Sequence, residues 1–548
     1  LAQSEGNYEI FGGSMSFNGQ LRLEAAVNTS GKTNGFNQHG NLANGVAIGR
    51  AAGNPIGPAA TRFQNTIVPG GLSAVSSALI GPFTPVVVGT SPGVSNSIVV
   101  ADTFTRYVPS KDRDLNYHLA RFELSPTIDW GNGWSFQSRF RVLYDPGDLG
   151  YRDFSYADYA DINGGIDGGL PTLYHGKPSQ LGYRTEDERN PFLFERSGKD
   201  YMVDAPAFFL QWTNGNITAR VGNQSVAWGQ LLFFRIMDQA NGLDLRRHLI
   251  LDRALEEYAD ERMSAPGLRV TWQTTDTIVT DFFAQQFLPT VVPNPNTPYE
   301  AIDSRFTVHD RYTSGGYDEK INFGIRFRGE YGNYSWQAMY TNKIDQVGWF
   351  RFTPSGVNKK LPESNELGLV FNRYCEAVLG SPLGQGCGPQ LAQLPFDVAP
   401  AGIHSAEEWH WASTHQKLDG YGAFNGIVED FAPLPESLLL VRDSSIQQEV
   451  NQLNLLFMAS EGLRGHIERN YNRQLVFGLG AGYVTMGESG SLWDQIIFNL
   501  ELAYSPDRVL TSPDVRREPP EVDDLQIGLV AEKYQRFSEN FPATYLVF

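Results

Sequence analysis

Charged side chains of both signs crowd residues 230–265, and several of them are spaced as on a helix. Arg246, Ile250 and Arg253 fall three to four residues apart and share one helix face. Carboxylates and guanidinium groups at this density form charge-assisted hydrogen bonds. The segment is therefore a predicted helical insertion, either a plug that pairs with the fold around it or a solvated outer helix. Its charged residues are Asp238, Asp244, Arg246, Arg247, Asp252, Arg253, Glu256, Glu257, Asp260, Glu261 and Arg262.

Two other clusters contain residue types that bind metals. One combines three histidines with two glutamates and two tryptophans, at spacings that match no zinc-protease helix, which favours an aromatic interaction surface. The other is a Gly-rich acidic loop without the residue order of an EF-hand. We predict no metal site and no cofactor, with calcium in the acidic loop as the alternative. The residues are His404, Glu407, Glu408, Trp409, His410, Trp411 and His415, and Asp158, Asp161, Asn163 and Asp167.

The serines, histidines and cysteines of the sequence do not form a recognisable catalytic motif. There is no Gly-x-Ser-x-Gly element and no spaced triad, so the sequence predicts a protein that is not an enzyme. The two cysteines, Cys375 and Cys387, enclose a short loop and have the wrong spacing for zinc. In an oxidising compartment a disulfide is expected, and two free thiols are the alternative.

Long alternating strands are the elements that position these residues. Between 320 and 331, Phe323 and Phe327 share one strand face, whereas Arg326 and Arg328 share the other. Arg139 and Arg141 are likewise opposite the apolar face of 134–144. A bilayer-spanning strand needs about nine to eleven residues, more than most sandwich strands have. We therefore predict an all-β fold, a transmembrane antiparallel β-barrel with an apolar outer face and a polar lumen.

Fourteen candidate strands indicate a single barrel of about 14 to 16 strands over residues 1–548. Tight turns follow Trp130, Thr213, Gln273 and Tyr331, and they alternate with long connections, as periplasmic turns and outer loops do. The long connections are 29–114, 145–200, 230–265, 289–318 and 348–444, of which the last is the predicted long extracellular loop. The candidate strands are 16–28, 116–130, 134–144, 204–213, 217–228, 267–273, 277–287, 320–331, 334–342, 449–459, 475–486, 492–504, 524–533 and 543–548.

An apolar, Pro- and Gly-rich stretch lies within the 29–114 insertion. Between 51 and 101 its only charged residue is Arg62, and such a surface does not stay bare in water. It is predicted to fold into the lumen mouth as an apolar gate, to lie along lipid, or to pack against another protomer of a homo-oligomer. The residues of the predicted gate are Phe63, Leu72, Leu79 and Phe83.

Composition narrows the function classes. The formal net charge of −18 argues against a nucleic-acid partner. No uninterrupted apolar run reaches the length of a spanning helix. The start at Leu1, without Met or an apolar leader, indicates a processed form that has lost a signal peptide, and the short final strand suggests a native chain that continues past Phe548. We predict a Gram-negative outer-membrane location, in contact with lipid and lipopolysaccharide.

One stretch carries a family resemblance. Val221-Gly222-Asn223-Gln224-Ser225-Val226-Ala227-Trp228-Gly229, followed by Asn241-Gly242-Leu243-Asp244, resembles the outer-membrane family known as domain of unknown function 1302. The segment 114–117 resembles an early segment of that family, whereas the long uncharged early insertion departs from its pattern. The resemblance implies a barrel that works beside a periplasmic lipoprotein-fold partner and an inner-membrane resistance-nodulation-division transporter, in the traffic of hydrophobic molecules.

The predicted lumen and plug combine the inward strand residues with the charged insertion. Trp228 is expected to brace the plug, or alternatively to be an interfacial aromatic of the rim. Function is predicted to be a conduit for hydrophobic or amphipathic small molecules or lipids; a diffusion porin for polar solutes and a structural anchor of an envelope complex are the alternatives. The inward residues are Arg139, Arg141, Arg220, Asn223, Gln224, Trp228, Arg326 and Arg328.

Overall fold

Long antiparallel strands dominate the computed structural model of the chain. It describes residues 8–27, 47–50, 86–88, 98–100, 104–107, 115–145, 181–183, 185, 190–198, 200–231, 234–246, 262–292, 302, 305–364, 366–438, 440–488, 490–538 and 543–548.

The strands and helices have the following bounds. The strands are β1 (Tyr8–Ile10), β2 (Gly13–Val27), β3 (Ala47–Arg50), β4 (Val86–Val88), β5 (Ile98–Val100), β6 (Phe104–Tyr107), β7 (Leu115–Asp129), β8 (Trp134–Tyr144), β9 (Glu195–Ser197), β10 (Tyr201–Asn214), β11 (Ile217–Gln224), β12 (Ala265–Gln273), β13 (Ile278–Gln286), β14 (Phe306–Asp310), β15 (Ile321–Tyr331), β16 (Tyr334–Ile344), β17 (Trp349–Phe352), β18 (Phe396–Ile403), β19 (Leu463–Asn470), β20 (Arg473–Val484), β21 (Ile497–Val509), β22 (Glu521–Gln535) and β23 (Thr544–Val547). The helices are α1 (Glu366–Ala377), α2 (Gly388–Leu391), α3 (Ala406–His415), α4 (Gly420–Asp430), α5 (Leu434–Ser437) and α6 (Ile446–Ser460).

Most strands belong to one 15-stranded sheet that follows the chain as an antiparallel meander. Its order is β1-β2-β7-β8-β10-β11-β12-β13-β15-β16-β20-β21-β22-β23, and β9 pairs with β10 beside this path. Consecutive strands are joined by tight turns at one end, where Gly133 and Gly332 adopt positive φ angles of 86° and 58°. The connections at the other end are long, so the predicted alternation of short and long connections is confirmed.

The outer face of this sheet is apolar and exposed. Leu479 and Ile527 are 60% and 62% exposed, far more than a soluble protein leaves bare over a continuous face. Tyr331 and Tyr334 lie at the tight-turn end, where an aromatic girdle is expected. The predicted fold, a transmembrane antiparallel β-barrel of about 14 to 16 strands, is confirmed. Other exposed members of the face are Leu21, Leu23, Phe122, Phe140, Val221, Leu268, Phe282, Phe323, Phe327, Trp336, Phe477, Leu500, Leu525 and Leu529.

Two sequence predictions about the region after β16 are wrong. The candidate strand 449–459 is part of helix α6, whose first turn is capped by the Ser445 side chain accepting a hydrogen bond from the Gln448 N–H. The connection between β16 and β20 therefore runs to Asn472 and is not a simple loop over 348–444. The candidate strand 217–228 also ends early, because β11 stops at Gln224 and the chain turns into the lumen.

This connection, together with β14 from the chain between β13 and β15, folds into a helical subdomain, which we define as β14, β17–β19 and α1–α6. Its small sheet has the order β14-β19-β17, with β18 also paired to β19. The helices pack on that sheet around a core that includes Trp409, Phe424 and Phe457, each at most 1% exposed. Trp409 is therefore not part of an aromatic interaction surface. None of the helices in the described ranges is long and apolar enough to cross a membrane.

A disulfide joins α1 to the loop before α2, as the sequence predicts. Cys375 and Cys387 are bonded, with their Cα atoms 5.1 Å apart. Both side chains lie in the core of the helical subdomain. The cross-link holds a short chain segment against α1, and its presence is consistent with an oxidising compartment.

A buried carboxyl makes the stability of the helical subdomain depend on pH. Glu449 of α6 is fully buried, 3.3 Å from the Nε2 of His410. Burial, helped by the nearby Asp443 and Asp419 carboxyls, raises the pKa of Glu449 to about 8. Burial also raises the pKa of Asp443 to about 6 and lowers the pKa of His410. The folded state thus favours the neutral forms of these groups.

We expect the Glu449→Gln variant to lose the alkaline part of this pH dependence. The Glu449 carboxyl ionises near 4.5 when unfolded but near 8 when folded, so the stability it contributes declines as pH rises between those values. The loss is on the order of 2–4 kcal/mol. Denaturant unfolding at a series of pH values measures it, with exposed Glu407→Gln as the control. Equal pH slopes for wild type and Glu449→Gln would show that this carboxyl is not the group responsible.

Candidate functional site

The chain between β11 and β12 enters the lumen of the sheet. We call its described part, residues 225–231 and 234–246, the plug segment. Six consecutive strands of the wall, from β13 to β22, contact it through inward-facing residues. In a flat sheet the outermost of these strands would lie roughly 24 Å apart. Trp228 bonds to β13 and Leu231 packs on β22, although only three residues separate them along the chain. Three residues of extended chain span at most about 11 Å. The sheet must therefore curve around the plug segment.

Trp228 anchors the first part of the plug segment. Its side chain is 1% exposed, and its indole Nε1 donates to Asp281 Oδ2 at 3.0 Å. The Phe283 ring packs edge-on against it, with centroids 4.9 Å apart. Arg326 lies over the indole at 5.4 Å and donates to the Trp228 carbonyl at 3.0 Å. Trp228 therefore lies inside the lumen and is not an aromatic of the rim.

Glu501 of β21 holds the next turn of the plug segment. One carboxylate oxygen accepts the backbone N–H of Gln230 at 2.5 Å, and the other accepts that of Met237 at 3.2 Å. The Gln337 amide donates to the same carboxylate at 3.2 Å. A single wall carboxylate thereby satisfies two buried backbone donors that no regular structure pairs.

Glycines in the wall make room for the plug segment. A Cβ atom on Gly528 would lie 2.5 Å from the Cδ1 of Ile236, and one on Gly478 would lie 3.0 Å from the Cε of Met237. A larger residue at these inward positions would require the side chains of Ile236, Leu231, Met237 or Met339 to move. The wall and the plug segment share an apolar cluster that includes Val226, Trp228, Leu231, Ile236 and Met237 with Phe283, Met339, Val476, Ala503 and Val530.

The end of the plug segment is fixed by a buried ionic cluster. The Arg246 guanidinium has no exposed surface and donates to Glu195 at 2.8 and 2.9 Å and to Asp244 at 2.9 and 3.0 Å. It also donates to the Leu181 carbonyl. This one side chain thus joins Leu181 and Glu195 to the end of the plug segment.

The predicted wall arginines face inward, and most of their partners in the described ranges belong to the sheet itself. Sequence reasoning expected ion pairs between them and the charged insertion. Within the described residues, Arg139 pairs with Glu123, Arg141 with Asp204, and Arg328 with Glu330. Residues 247–261 of the insertion lie outside the described part of the chain, so the predicted pairs with them stay a prediction. Arg220 donates to the Gln211 amide at 2.7 Å. Arg326 contacts both the wall and the plug segment, since it pairs with Asp281 of β13 and donates to the Trp228 carbonyl.

Asn223 and Gln224 end β11 and support the turn into the lumen. Asn223 is buried and donates to the Ala205 carbonyl at 2.8 Å. Gln224 donates to the carbonyls of Arg220 and Gly267 at 3.4 Å each. Of the remaining predicted residues, the plug positions Arg247, Asp252, Arg253, Glu256 and Glu257, the gate positions Phe63, Leu72, Leu79 and Phe83, and the acidic-loop positions Asp158, Asp161, Asn163 and Asp167 lie outside the described residues.

Sequence reasoning missed the carboxylates that organise the wall. Glu123, Asp281 and Glu501 are at most 6% exposed and each binds two or more partners. Asp281 is the one acid of strand β13, and an isolated acid on an inward face was the signal available in the sequence. No group of three or more His, Cys, Asp or Glu side chains suited to a metal occurs in the part of the chain that the structure describes.

One protein family matches nearly the whole chain. A family model described as "Protein of unknown function (DUF1302)" matches residues 3–534. The chain belongs to the DUF1302 family. Nearly the whole sequence is covered, from the first strand to the end of β22, so the resemblance at Val221–Gly229 is one part of a full-length match. None of the curated proteins matches this DUF1302 sequence.

Solved outer-membrane proteins resemble the DUF1302 chain weakly. Pseudomonas putida OprB, in a high-pH structure, is 8% identical with a TM-score of 0.28, and the match covers 78% of this chain and 66% of OprB. The outer membrane channel DcaP of Acinetobacter baumannii is 5% identical with a TM-score of 0.25, covering 80% and 66%. A loop L8 deletion mutant of OmpT, an outer membrane protein of Vibrio cholerae, is 8% identical with a TM-score of 0.22, covering 78% and 84%. This chain thus spans just under two thirds of the OprB and DcaP chains, and at these scores we draw nothing from the similarity.

Proposed function

We propose that the protein is an outer-membrane conduit for hydrophobic or amphipathic small molecules, such as lipids, and that the plug segment closes it at rest. The observation that carries the proposal is the contact of this one segment with six consecutive strands of the wall. A diffusion porin needs an open, wet, charge-lined channel. Here the corresponding space holds a buried tryptophan and an apolar cluster.

An outer-membrane location is part of this proposal. The apolar outer face favours lipid, and closed β-sheets that span membranes occur as outer-membrane barrels. The proposed partners are lipopolysaccharide around the barrel, a periplasmic lipoprotein-fold protein and an inner-membrane resistance-nodulation-division transporter. Support for the two transport partners is the family resemblance alone. A homo-oligomer built on the 29–114 insertion is also proposed. No step of the proposed function requires an enzymatic reaction.

Planar-bilayer recording of the purified protein tests the closed conduit against the porin. We expect conductance near that of the bare bilayer, interrupted by rare openings, because the plug segment is held by buried contacts. A well-characterised open porin inserted in the same way is the control. Large, steady, ohmic conductance from the unmodified protein would establish a diffusion porin instead.

The cargo class is tested separately in liposomes. Protein reconstituted into the membrane should speed the transfer of a fluorescent long-chain lipid analogue to an external acceptor, and should not speed the release of a small sugar. Protein-free liposomes give the background rate. A structural anchor would transfer neither compound, and in that case the conduit proposal fails.

A further inference from the structure

A short loop between the barrel and the helical subdomain binds the middle of the plug segment. We call residues 345–348, which connect β16 to β17, the junction loop. The Gln346 side chain is 5% exposed, and its Nε2 donates to the carbonyls of Gln239 and Ala240 at 3.1 and 3.0 Å. Its Oε1 accepts a hydrogen bond from Lys343 Nζ at 2.8 Å. One side chain outside the wall strands thus holds two backbone carbonyls of the plug segment.

The wall holds the same part of the plug segment less completely. Gln285 of β13 donates to the Ala240 carbonyl at 2.7 Å. Lys343 of β16 donates to the Gln239 side chain at 2.9 Å. Within the described ranges, the Gln239 carbonyl accepts a hydrogen bond from Gln346 alone. Loss of the junction loop contact would therefore leave that carbonyl without a donor.

The helical subdomain fixes the junction loop through Arg469 of β19. Its Nε donates to the Val347 carbonyl at 2.8 Å, and its Nη2 donates to the Gln346 carbonyl at 3.0 Å. The Asp345 N–H donates to the Asn472 carbonyl at 2.9 Å. The Arg469 side chain is only 3% exposed. The position of Gln346 therefore depends on the position of β19.

Arg469 is itself anchored inside the subdomain. Its guanidinium donates to Asp310 Oδ2 of β14 at 3.4 Å and lies over the Tyr471 ring at 5.1 Å. The Tyr471 hydroxyl donates to the same carboxylate at 2.8 Å. Because β19 lies between β14 and β17, a shift of β19 would carry Arg469 and the junction loop with it. Among the described residues, the Arg469 side chain binds none of the plug segment, so its influence there acts through Gln346.

We propose that the helical subdomain holds the plug segment closed through Arg469 and Gln346, and that displacement of β19 from the junction loop releases it. The contact is autoinhibitory, and both residues are positioning residues. The subdomain lies at the end of the barrel that carries the long connections, which faces the cell exterior in outer-membrane barrels. The proposal rests on the proposed function, and it adds the place from which the conduit is opened.

Hydrogen–deuterium exchange of the full-length protein in phosphatidylcholine nanodiscs tests this coupling. Gln346→Glu keeps the size of the side chain but removes both donors to the plug segment. Arg469→Met removes the hydrogen bonds to the two junction loop carbonyls. Each variant should speed exchange of the plug-segment amides about tenfold or more, because local opening then breaks fewer hydrogen bonds. Since both residues act on one path, the double variant should exchange no faster than the faster single variant.

Two controls make the same changes elsewhere in the subdomain. Arg311→Met removes a cation 2.7 Å from Glu468 of β19, and that carboxylate keeps Arg351. Gln390→Glu alters a buried glutamine that bonds with Ser381. Both controls should leave exchange of the plug segment as in the wild type.

Exchange in helix α6 shows whether the subdomain stays folded in each variant. Arg469→Lys replaces Arg469→Met where α6 exchange rises, because lysine keeps the cation beside Asp310 but lacks the fork that binds both carbonyls. Unchanged plug exchange in Gln346→Glu would overturn the proposal. Faster exchange in Gln346→Glu but not in a folded Arg469 variant would overturn the part played by the subdomain.

Exchange needs no transport, so the two proposals can fail separately. Faster plug exchange in both variants of a protein with large, steady conductance would refute the closed conduit and leave the coupling standing. A closed wild type that transfers lipid, with plug exchange that responds to neither variant, would refute the coupling and leave the conduit.

Discussion

Replacing Trp228 with alanine is expected to open the lumen while the barrel stays inserted. The change removes the indole hydrogen bond to Asp281 and the packing on Phe283, and it leaves a large void at the centre of the apolar cluster. Loss of a buried tryptophan typically costs about 3–5 kcal/mol, which here falls on the contact between plug segment and wall. Conductance in planar bilayers should rise, and residues 230–265 should become sensitive to protease.

Trp336→Ala is the matched control for this prediction. Trp336 lies on the outer face of strand β16 and is 37% exposed. Its replacement removes the same side-chain volume as Trp228→Ala but does not alter a contact of the plug segment. It should leave conductance and proteolysis as in the wild type. A correctly inserted, heat-modifiable Trp228→Ala protein with unchanged conductance and proteolysis would show that the indole does not brace the plug segment.

Arg246→Met is expected to destabilise the closed lumen strongly. Methionine fills much of the same space, but it leaves the buried carboxylates of Glu195 and Asp244 without their shared cation. Removing one partner of a buried ionic cluster typically costs about 3–5 kcal/mol. Denaturant unfolding in detergent measures the change, and removing one of the two uncompensated negative charges with a second substitution, Glu195→Gln, should recover part of it.

Arg235→Met provides the comparison. Arg235 also belongs to the plug segment, but its side chain is 22% exposed and its partner Asp238 keeps a second cation, Arg262. Its loss also removes a hydrogen bond to the Asn241 carbonyl, so it should cost about 1–2 kcal/mol, less than the loss of Arg246. If Arg246→Met and Arg235→Met had equal effects, the ionic cluster would not be what fixes the end of the plug segment.

The wall of the barrel was predictable from sequence because apolar and polar residues alternate within each strand, independently of the other strands. Phe323 and Phe327 are exposed to lipid and Arg326 faces the lumen, and no knowledge of distant residues was needed to assign them. Turn residues such as Gly133 and Gly332 marked the hairpins for the same local reason.

Helix α6 was missed because a short apolar run is compatible with both the two-residue period of a strand and the 3.6-residue period of a helix. Its caps were the better signal, since Ser445 and Gln448 have the spacing of a capping box and Glu461-Gly462 ends the helix with positive φ angles. Leu453 and Phe457 lie four residues apart and are both buried, as on one helix face.

The partners of the lumen arginines could not be assigned from sequence. The sharing of Glu123 by Arg121 and Arg139, or of Asp281 by Arg269 and Arg326, depends on strand register and on the curvature of the sheet. Those are global properties, so the arginines were visible in the sequence while the network that neutralises them was not.

The plug segment also constrains how the chain reaches its native state. Both of its ends are continuous with neighbouring strands, β11 and β12, so it cannot leave the barrel as a separate piece. Its bond from Gln230 to Glu501 spans 271 residues, and Gly528 of a still later strand packs beside it. Contacts at such separations form late and slowly. The last strands must therefore close around a segment already in place, which makes that closure the expected slow step of assembly in the membrane.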